Sequence, residues 1–151
     1  MADWIKDVEP LIVKGQIRMP YQWSVGEVGS RFLTALRDHG KILANRCAGC
    51  RTVYVPPRKT CARCFIDIHD WTEVGPEGTV EALTIVREAH PLQPAEVPFA
   101  YVLVKLDGSD VGFLHLVRHG LEQLSRGSRV RAVFRHERTG HILDIDGFEI
   151  I

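Results

Sequence analysis

"RCAGCRTVYVPPRKTCARC", residues 46–64, holds all four cysteines of a 151-residue chain, as two C-x-x-C pairs separated by ten residues. Two such turns can carry four sulfurs to the corners of a tetrahedron, an arrangement that suits a thiolate-bound zinc. The same ligand set could hold iron in a rubredoxin-like centre, but no neighbouring motif points to electron transfer, so a structural zinc on Cys47, Cys50, Cys61 and Cys64 is the expectation. Four protein sulfurs leave no open position for water or substrate, so such a centre holds shape and does not react. A thioredoxin-like redox site requires one C-x-x-C opening a helix of a parallel α/β fold, and that layout is absent.

Working outward, "KILANRC" and "RTVYVPP" read as short strands flanking the first pair. Pro56 and Pro57 end the second strand, because proline cannot donate to a ladder. "TCARC" forms the second turn. From His39 to Phe65 there is no Asp or Glu, whereas Lys41, Arg46, Arg51, Arg58, Lys59 and Arg63 are cationic. Part of this charge offsets the metal–thiolate centre. The rest could edge a pocket for a phosphorylated ligand, with Arg58 and Lys59 leading and Arg46 beside them, held by two prolines that lower the entropic cost of binding.

Before the cysteines, "GEVGSRFLTALRDHG" repeats apolar residues at Val28, Phe32, Leu33 and Leu36, which predicts an amphipathic helix over 26–40. Ser24 or Gly26 opens it and Gly40 closes it as the C-terminal cap residue. Residues 1–25 have no regular pattern and read as an extended arm with an aromatic cluster, "MPYQWS". Its Tyr21 and Trp23, together with the helix, suggest a contact with another subunit.

After the cysteines the texture becomes β-branched. "GTVEALTIVRE", "FAYVLVKL", "VGFLHLV", "RVRAVFRH" and "HILDIDGFEI" predict five strands, with one or two helical turns in "RHGLEQLSRGS" after the third. That is the order of an OB-fold barrel. The expected fold is therefore mainly β: arm and helix over 1–40, a four-cysteine rubredoxin-like zinc ribbon over 41–70, and a five-stranded OB-fold barrel over 71–151.

No catalytic set assembles. The phosphate-cradling, dinucleotide and nucleophile-elbow glycine motifs are missing, and the metal consumes every thiol. His115 lies inside an apolar strand as a packed residue. Asp144 and Asp146 alternate in "ILDIDG" and are expected on one solvated strand face. Arg129, Arg131 and Arg135 share a second basic stripe, also expected to be solvated. With 19 basic and 19 acidic residues the net charge is zero, against the basic excess that nucleic-acid binders usually carry. The N-terminal residues lack the apolar run of a signal peptide, and no run is long enough to span a membrane; a cytoplasmic location is expected, where thiols stay reduced.

The block "FLTALRDHGKILANRC", C-x-x-C, "VYVPPR", C-x-x-C and a following barrel resembles the family of zinc-ribbon plus OB-fold proteins associated with acyl-CoA enzymes, long catalogued as a domain of unknown function. The resemblance runs from about Tyr21 to the C-terminus, and "YQWSVGEVGSRFL" looks like the subset that partners thiolase-like enzymes in acyl-CoA breakdown, including steroid side-chain removal. It implies that Cys47, Cys50, Cys61 and Cys64 are the metal ligands and that Pro57 and Arg58 form the family's "PPR" turn. It also implies that the chain is a small non-catalytic subunit beside a thiolase-like catalytic subunit, helping to form its acyl-CoA channel for thiolytic or retro-aldol cleavage of a coenzyme A ester. Two departures stand out. Many members have glycine after the second cysteine of each pair, where this chain has Arg51 and Phe65, which predicts looser knuckles; and proline often follows each first cysteine, where this chain has Ala48 and Ala62. The alternative reading is a nucleic-acid-binding ribbon and barrel, which would display exposed strand aromatics for base stacking; Phe99 and Tyr101 are the candidates.

Overall fold

A computed structural model of the chain describes residues 9, 11–15 and 19–151. The arm expected over 1–25 therefore lies partly outside the described residues. Within them, 11–15 and 19–25 are neither helix nor strand. Helix α1, Gly26–His39, follows. Its N-cap position is Val25, which has no capping side chain; instead the Ser24 hydroxyl accepts from the Gly26 N–H at 3.1 Å. Gly40 ends it at φ 60°, the left-handed conformation that glycine adopts without a Cβ penalty. Phe32, Ala35 and Leu36 are buried, and this apolar side packs on the chain's own first strand.

Strands β1 (Ile42–Arg46), β2 (Val53–Tyr54) and β3 (Asp70–Val74) form an antiparallel sheet in the order β2-β1-β3. β3 was not legible in the sequence: "DWTEV" buries only Val74 and lacks an apolar alternation, and only its pairing with β1, from Ile42 opposite Val74 to Arg46 opposite Asp70, makes it a strand. The remaining strands are β4 (Glu77–Val86), β5 (Phe99–Leu106), β6 (Gly112–Val117), β7 (Arg129–Phe134) and β8 (Ile145–Ile150). They close in the order β4-β5-β6-β8-β7, with β7 returning to β4 and β6 parallel to β8. This is the five-stranded OB-fold barrel expected from the sequence.

Closure demands close backbone approach at Gly78, where a Cβ would lie 2.6 Å from the Lys105 carbonyl oxygen. One apolar core runs through both parts, from Phe32 and Leu36 through Ile42, Val53 and Val55 to Val80, Val102 and Phe113. Asp110, on the β5–β6 connection, fixes the ribbon against the barrel: its carboxylate accepts from the Val53 N–H at 2.8 Å and its own N–H donates to the Val53 carbonyl at 3.1 Å.

Two sequence expectations change here. "RHGLEQLSRGS" forms turns, not a helix; Gly120 and Gly127 both have positive φ, and the residues between them are too few to repay helix nucleation. Asp144 ends a short 3-10 turn, Ile142–Asp144, and lies outside the strand that contains Asp146. It is buried, and its carboxylate accepts from the N–H groups of Thr139, Gly140 and His141. Burial alone would raise its pKa, but these three donors outweigh that and hold it below the usual carboxylate range.

Candidate functional site

Each C-x-x-C pair is a tight turn closed by the backbone. Arg51 N–H donates to the Cys47 carbonyl (2.9 Å), and Phe65 N–H does the same to Cys61 (3.0 Å). The residue closing each turn must be left-handed, and Arg51 and Phe65 adopt φ of 64° and 56°. The turns thus keep the geometry that glycine would give them, and the mismatch is absorbed as local strain, roughly 1–2 kcal/mol for each residue.

The turns bring one sulfur from each of Cys47, Cys50, Cys61 and Cys64 within 4.8 Å of one another. Cys50 and Cys61 sulfurs are 3.6 Å apart, and a tetrahedron with zinc–sulfur bonds of about 2.3 Å has edges of about 3.8 Å. The donor set therefore fits a tetrahedral zinc. The surroundings favour sulfur anions: the Arg63 and Cys64 N–H groups donate to Cys61 Sγ at 3.4 Å each, Tyr54 Oη lies 3.3 Å from it, and Thr52 Oγ1 lies 3.2 Å from Cys50 Sγ. The Tyr54 hydroxyl, with those N–H groups, lowers the Cys61 thiol to about 6. Cys64, hydrogen-bonded to Cys50 and partly desolvated, is pushed up to about 12. Four close thiols cannot all ionise unaided; a divalent cation makes the all-thiolate set favourable. Tyr54 and Thr52 were not singled out in the sequence, because nothing local marks a strand tyrosine as a sulfur's neighbour.

The expected basic edge is reorganised by β3. Its Glu73 pairs with Lys41 at 2.8 Å and its Asp70 lies 3.9 Å from Arg46. Arg51, Arg58, Lys59 and Arg63 are exposed and have no carboxylate within ion-pair distance among the described residues. Arg58 lies over the Tyr54 ring at 5.3 Å, and its backbone is clamped by Asn45, whose amide donates to the Arg58 carbonyl (2.6 Å) and accepts from its N–H (3.1 Å). Lys59 instead lines a cleft of about 590 Å³ between the start of α1 and the ribbon, together with Pro57, Arg31 and Trp71. Arg46, Arg58 and Lys59 do not meet around this one cleft. Arg31 covers the Trp71 ring at 4.3 Å.

On the barrel, the second basic stripe is neutralised. Arg129 pairs with Asp107 (2.6 Å) and Glu77 (3.3 Å), Arg131 with Glu77 (2.7 Å) and Arg135 with Asp146 (3.2 Å). Phe99 is fully buried with Tyr101 edge-on to it, and among the described residues no aromatic ring of the barrel strands is exposed. His115 is buried, with Nε2 3.3 Å from the Ile142 carbonyl and Phe113 stacked on its ring. Exposed apolar side chains gather elsewhere, in the arm: among the described residues Leu11, Ile12, Val13, Met19, Tyr21, Trp23 and Val25 are 50–90% exposed, and the Tyr21 and Trp23 rings lie 5.2 Å apart.

Comparison with known proteins places both parts of the molecule. Residues 34–70 match the family described as the rubredoxin-like zinc ribbon domain of ChsH2, and residues 71–135 match its C-terminal OB-fold domain. Taken together, the two matches run over residues 34–135, as a zinc ribbon of the ChsH2 type followed by an OB-fold domain of the ChsH2 type. Among solved structures it resembles a DUF35-family protein of unknown function from Sulfolobus solfataricus, at 24% identity and a TM-score of 0.60 over 72% of this chain and 77% of that one. It also resembles a chain of an Ltp2-ChsH2(DUF35) aldolase, at 21% identity and a TM-score of 0.60 over 79% of this chain and 92% of that one. At these identities both likenesses speak for the fold. A probable enoyl-CoA hydratase alpha subunit of Thermomonospora curvata is 34% identical over 67 residues, 44% of this chain but only 20% of that protein. The matched stretch thus spans a fifth of that curated relative's length.

Proposed function

We propose that the chain is a non-catalytic subunit that binds a thiolase-like catalytic subunit and helps form its acyl-CoA site, supporting thiolytic or retro-aldol carbon–carbon cleavage. The observation that carries this reading is the arm. Seven large apolar side chains at 50–90% exposure beside a rigid ribbon are a surface suited to burial against another polypeptide. The helix supports it indirectly: its apolar face is used within the chain, so the arm beside it stays free for a partner. The probable enoyl-CoA hydratase alpha subunit, which shares sequence over 67 residues, is consistent with an acyl-CoA setting, and the Ltp2-ChsH2(DUF35) aldolase shares the fold.

In this reading the zinc, held by Cys47, Cys50, Cys61 and Cys64, keeps the ribbon rigid and supplies no chemistry. Lys59 in its cleft beside Trp71, and Arg58 over Tyr54, are the contacts offered to the phosphates of coenzyme A; Arg46 is a weaker one because Asp70 faces it. The acyl group we propose is of the 2-benzoylsuccinyl type handled in anaerobic toluene degradation, because the ribbon-and-barrel sequence resembles the small subunit of the thiolase that acts there. The setting is cytoplasmic, and no described helix is long and apolar enough to cross a membrane.

The test is co-expression with a thiolase-like subunit from the same genome. A stable complex that cleaves an acyl-CoA, from a chain that alone cleaves none, is the expected result; robust cleavage by the isolated chain, or failure of the two to co-purify, would end this reading.

A further inference from the structure

The two cysteine turns are built alike but closed by different residues. Arg51 closes the first, left-handed at φ 64° and solvated, which suits a charged side chain. Phe65 closes the second, left-handed at φ 56° and 82% exposed. This position therefore carries two unfavourable features at once: a bulky residue in a conformation suited to glycine or asparagine, and a whole aromatic ring in water. Neither aids the metal centre, because the Phe65 N–H to Cys61 carbonyl bond and the N–H donors to Cys61 sulfur are backbone groups that any residue supplies. Strain that the fold does not use is found where a site is used by something else.

The neighbourhood of Phe65 is an apolar tip with a cationic border. On the two turns Ala48, Gly49, Ala62 and Ile66 are exposed, and the turns come together beside Phe65: a Cβ on Gly49 would lie 3.4 Å from the Ile66 side chain. Arg51, which closes the sister turn, and Arg63, two residues before Phe65, are exposed, line one shallow cleft with Tyr54 and Asp110, and have no carboxylate within ion-pair distance among the described residues. The nearest acid in sequence, Asp67, is engaged by the Thr60 hydroxyl at 2.9 Å. A central aromatic anchor flanked by arginines is the composition of an interface hot spot, and its complement is an apolar pocket rimmed by carboxylates.

We propose that the tip of the second cysteine turn is a docking knob, with Phe65 inserting into an acid-rimmed apolar pocket on the catalytic subunit and Arg51 and Arg63 meeting its rim. This rests on the subunit reading above and adds a second contact to it, on the metal-bearing end of the ribbon instead of the arm. The closed metal centre then has a mechanical purpose: it holds the knob in one conformation, so that little ordering entropy is lost on binding.

The experiment compares Phe65→Gly, Phe65→Asn and Arg51→Gly in the full chain, bound to the co-expressed thiolase-like subunit. Phe65→Gly and Phe65→Asn suit the left-handed backbone, so zinc content is expected to stay at one ion per chain and Tm to hold or rise. Their affinity for the catalytic subunit is expected to fall by roughly thirty-fold or more, as for a hot-spot aromatic. Arg51→Gly relieves the same backbone strain at the sister turn, with only a modest, salt-dependent slowing of association. Affinity within about two-fold of wild type for both Phe65 variants overturns the proposal, since a hot spot cannot be removed so cheaply. So does a wild-type chain that dimerises by itself and becomes monomeric on Phe65→Gly, which would make a second copy the occupant. If wild type does not bind the thiolase-like subunit at all, the subunit reading fails first and the knob with it, an outcome the variants cannot imitate.

Discussion

Asn45 shows how one side chain sets the position of another. It is fully buried on the central ribbon strand, and both ends of its amide are used by the backbone of Arg58, so it substitutes for a strand partner where the two prolines have ended the ladder. Asn45→Ala leaves a buried N–H and carbonyl unpaired and is expected to lower stability by about 2 kcal/mol in urea unfolding, with Arg58 no longer fixed over Tyr54. Gly78→Ala should cost about 1–3 kcal/mol by the same measurement, because the added Cβ meets β5 backbone that closure of the barrel holds in place. His115 gives the pH dependence. Burial lowers its pKa below 6.5, helped by Arg118 and opposed by the Ile142 carbonyl and Asp146. A folded state that prefers neutral imidazole has its full stability above about pH 6.5 and loses it as the pH falls through the depressed folded value. Urea midpoints between pH 5 and 8 should show this acid limb, and His115→Gln should flatten it.

At the scale of elements, the ribbon is where metal and fold are coupled. Its small cluster, Tyr54 and Ile68 with Cys47 and Cys61, is too small to hold the two turns without a cross-link. Stripping the metal with a chelator should therefore remove hydrogen-exchange protection from β1 and β2 while β5 and β6, inside the closed barrel, keep theirs. Equal loss in both would mean that the barrel depends on the metal as well. The arm is separable from both. Tyr21→Ala with Trp23→Ala should leave Tm within about 1 °C, since exposed side chains contribute little to the fold, and should weaken co-purification with the catalytic subunit. The basic stretch from His39 to Phe65 also becomes clear at this scale: β3 brings Glu73 and Asp70 across to Lys41 and Arg46, so the free charge is confined to the cysteine turns and the Arg58–Lys59 loop.

For the molecule as a whole, the ribbon and barrel share one core and are pinned by Asp110 against β2, so surface features on either part keep a fixed relation. Arm and knob both belong to the half that precedes the barrel, and a partner engaging them would leave much of the barrel wall free. The barrel's own surface offers nucleic acid little: the stripe of Arg129, Arg131 and Arg135 is paired, and among the described residues no ring of its strands is exposed. At physiological salt the intact protein is accordingly expected to show no tight binding to single-stranded DNA or RNA in a fluorescence anisotropy titration. Steep, salt-sensitive binding would restore the alternative reading.

By itself the sequence determined what depends on near neighbours. Cysteine spacing defined the metal centre, β-branched runs marked all five barrel strands, and Gly40 marked the end of α1, because each is written within a few residues by local sterics or ligand chemistry. Tertiary structure decided what depends on meeting across the chain. β3 exists because β1 pairs with it, Asp144 leaves the strand because three backbone N–H groups enclose it, and the arginine stripe is neutral because Glu77, Asp107 and Asp146 face it. The exposure of Phe65 falls in the same class. A sequence can place a phenylalanine after a cysteine, but only the packed molecule shows that none of the described residues covers the ring.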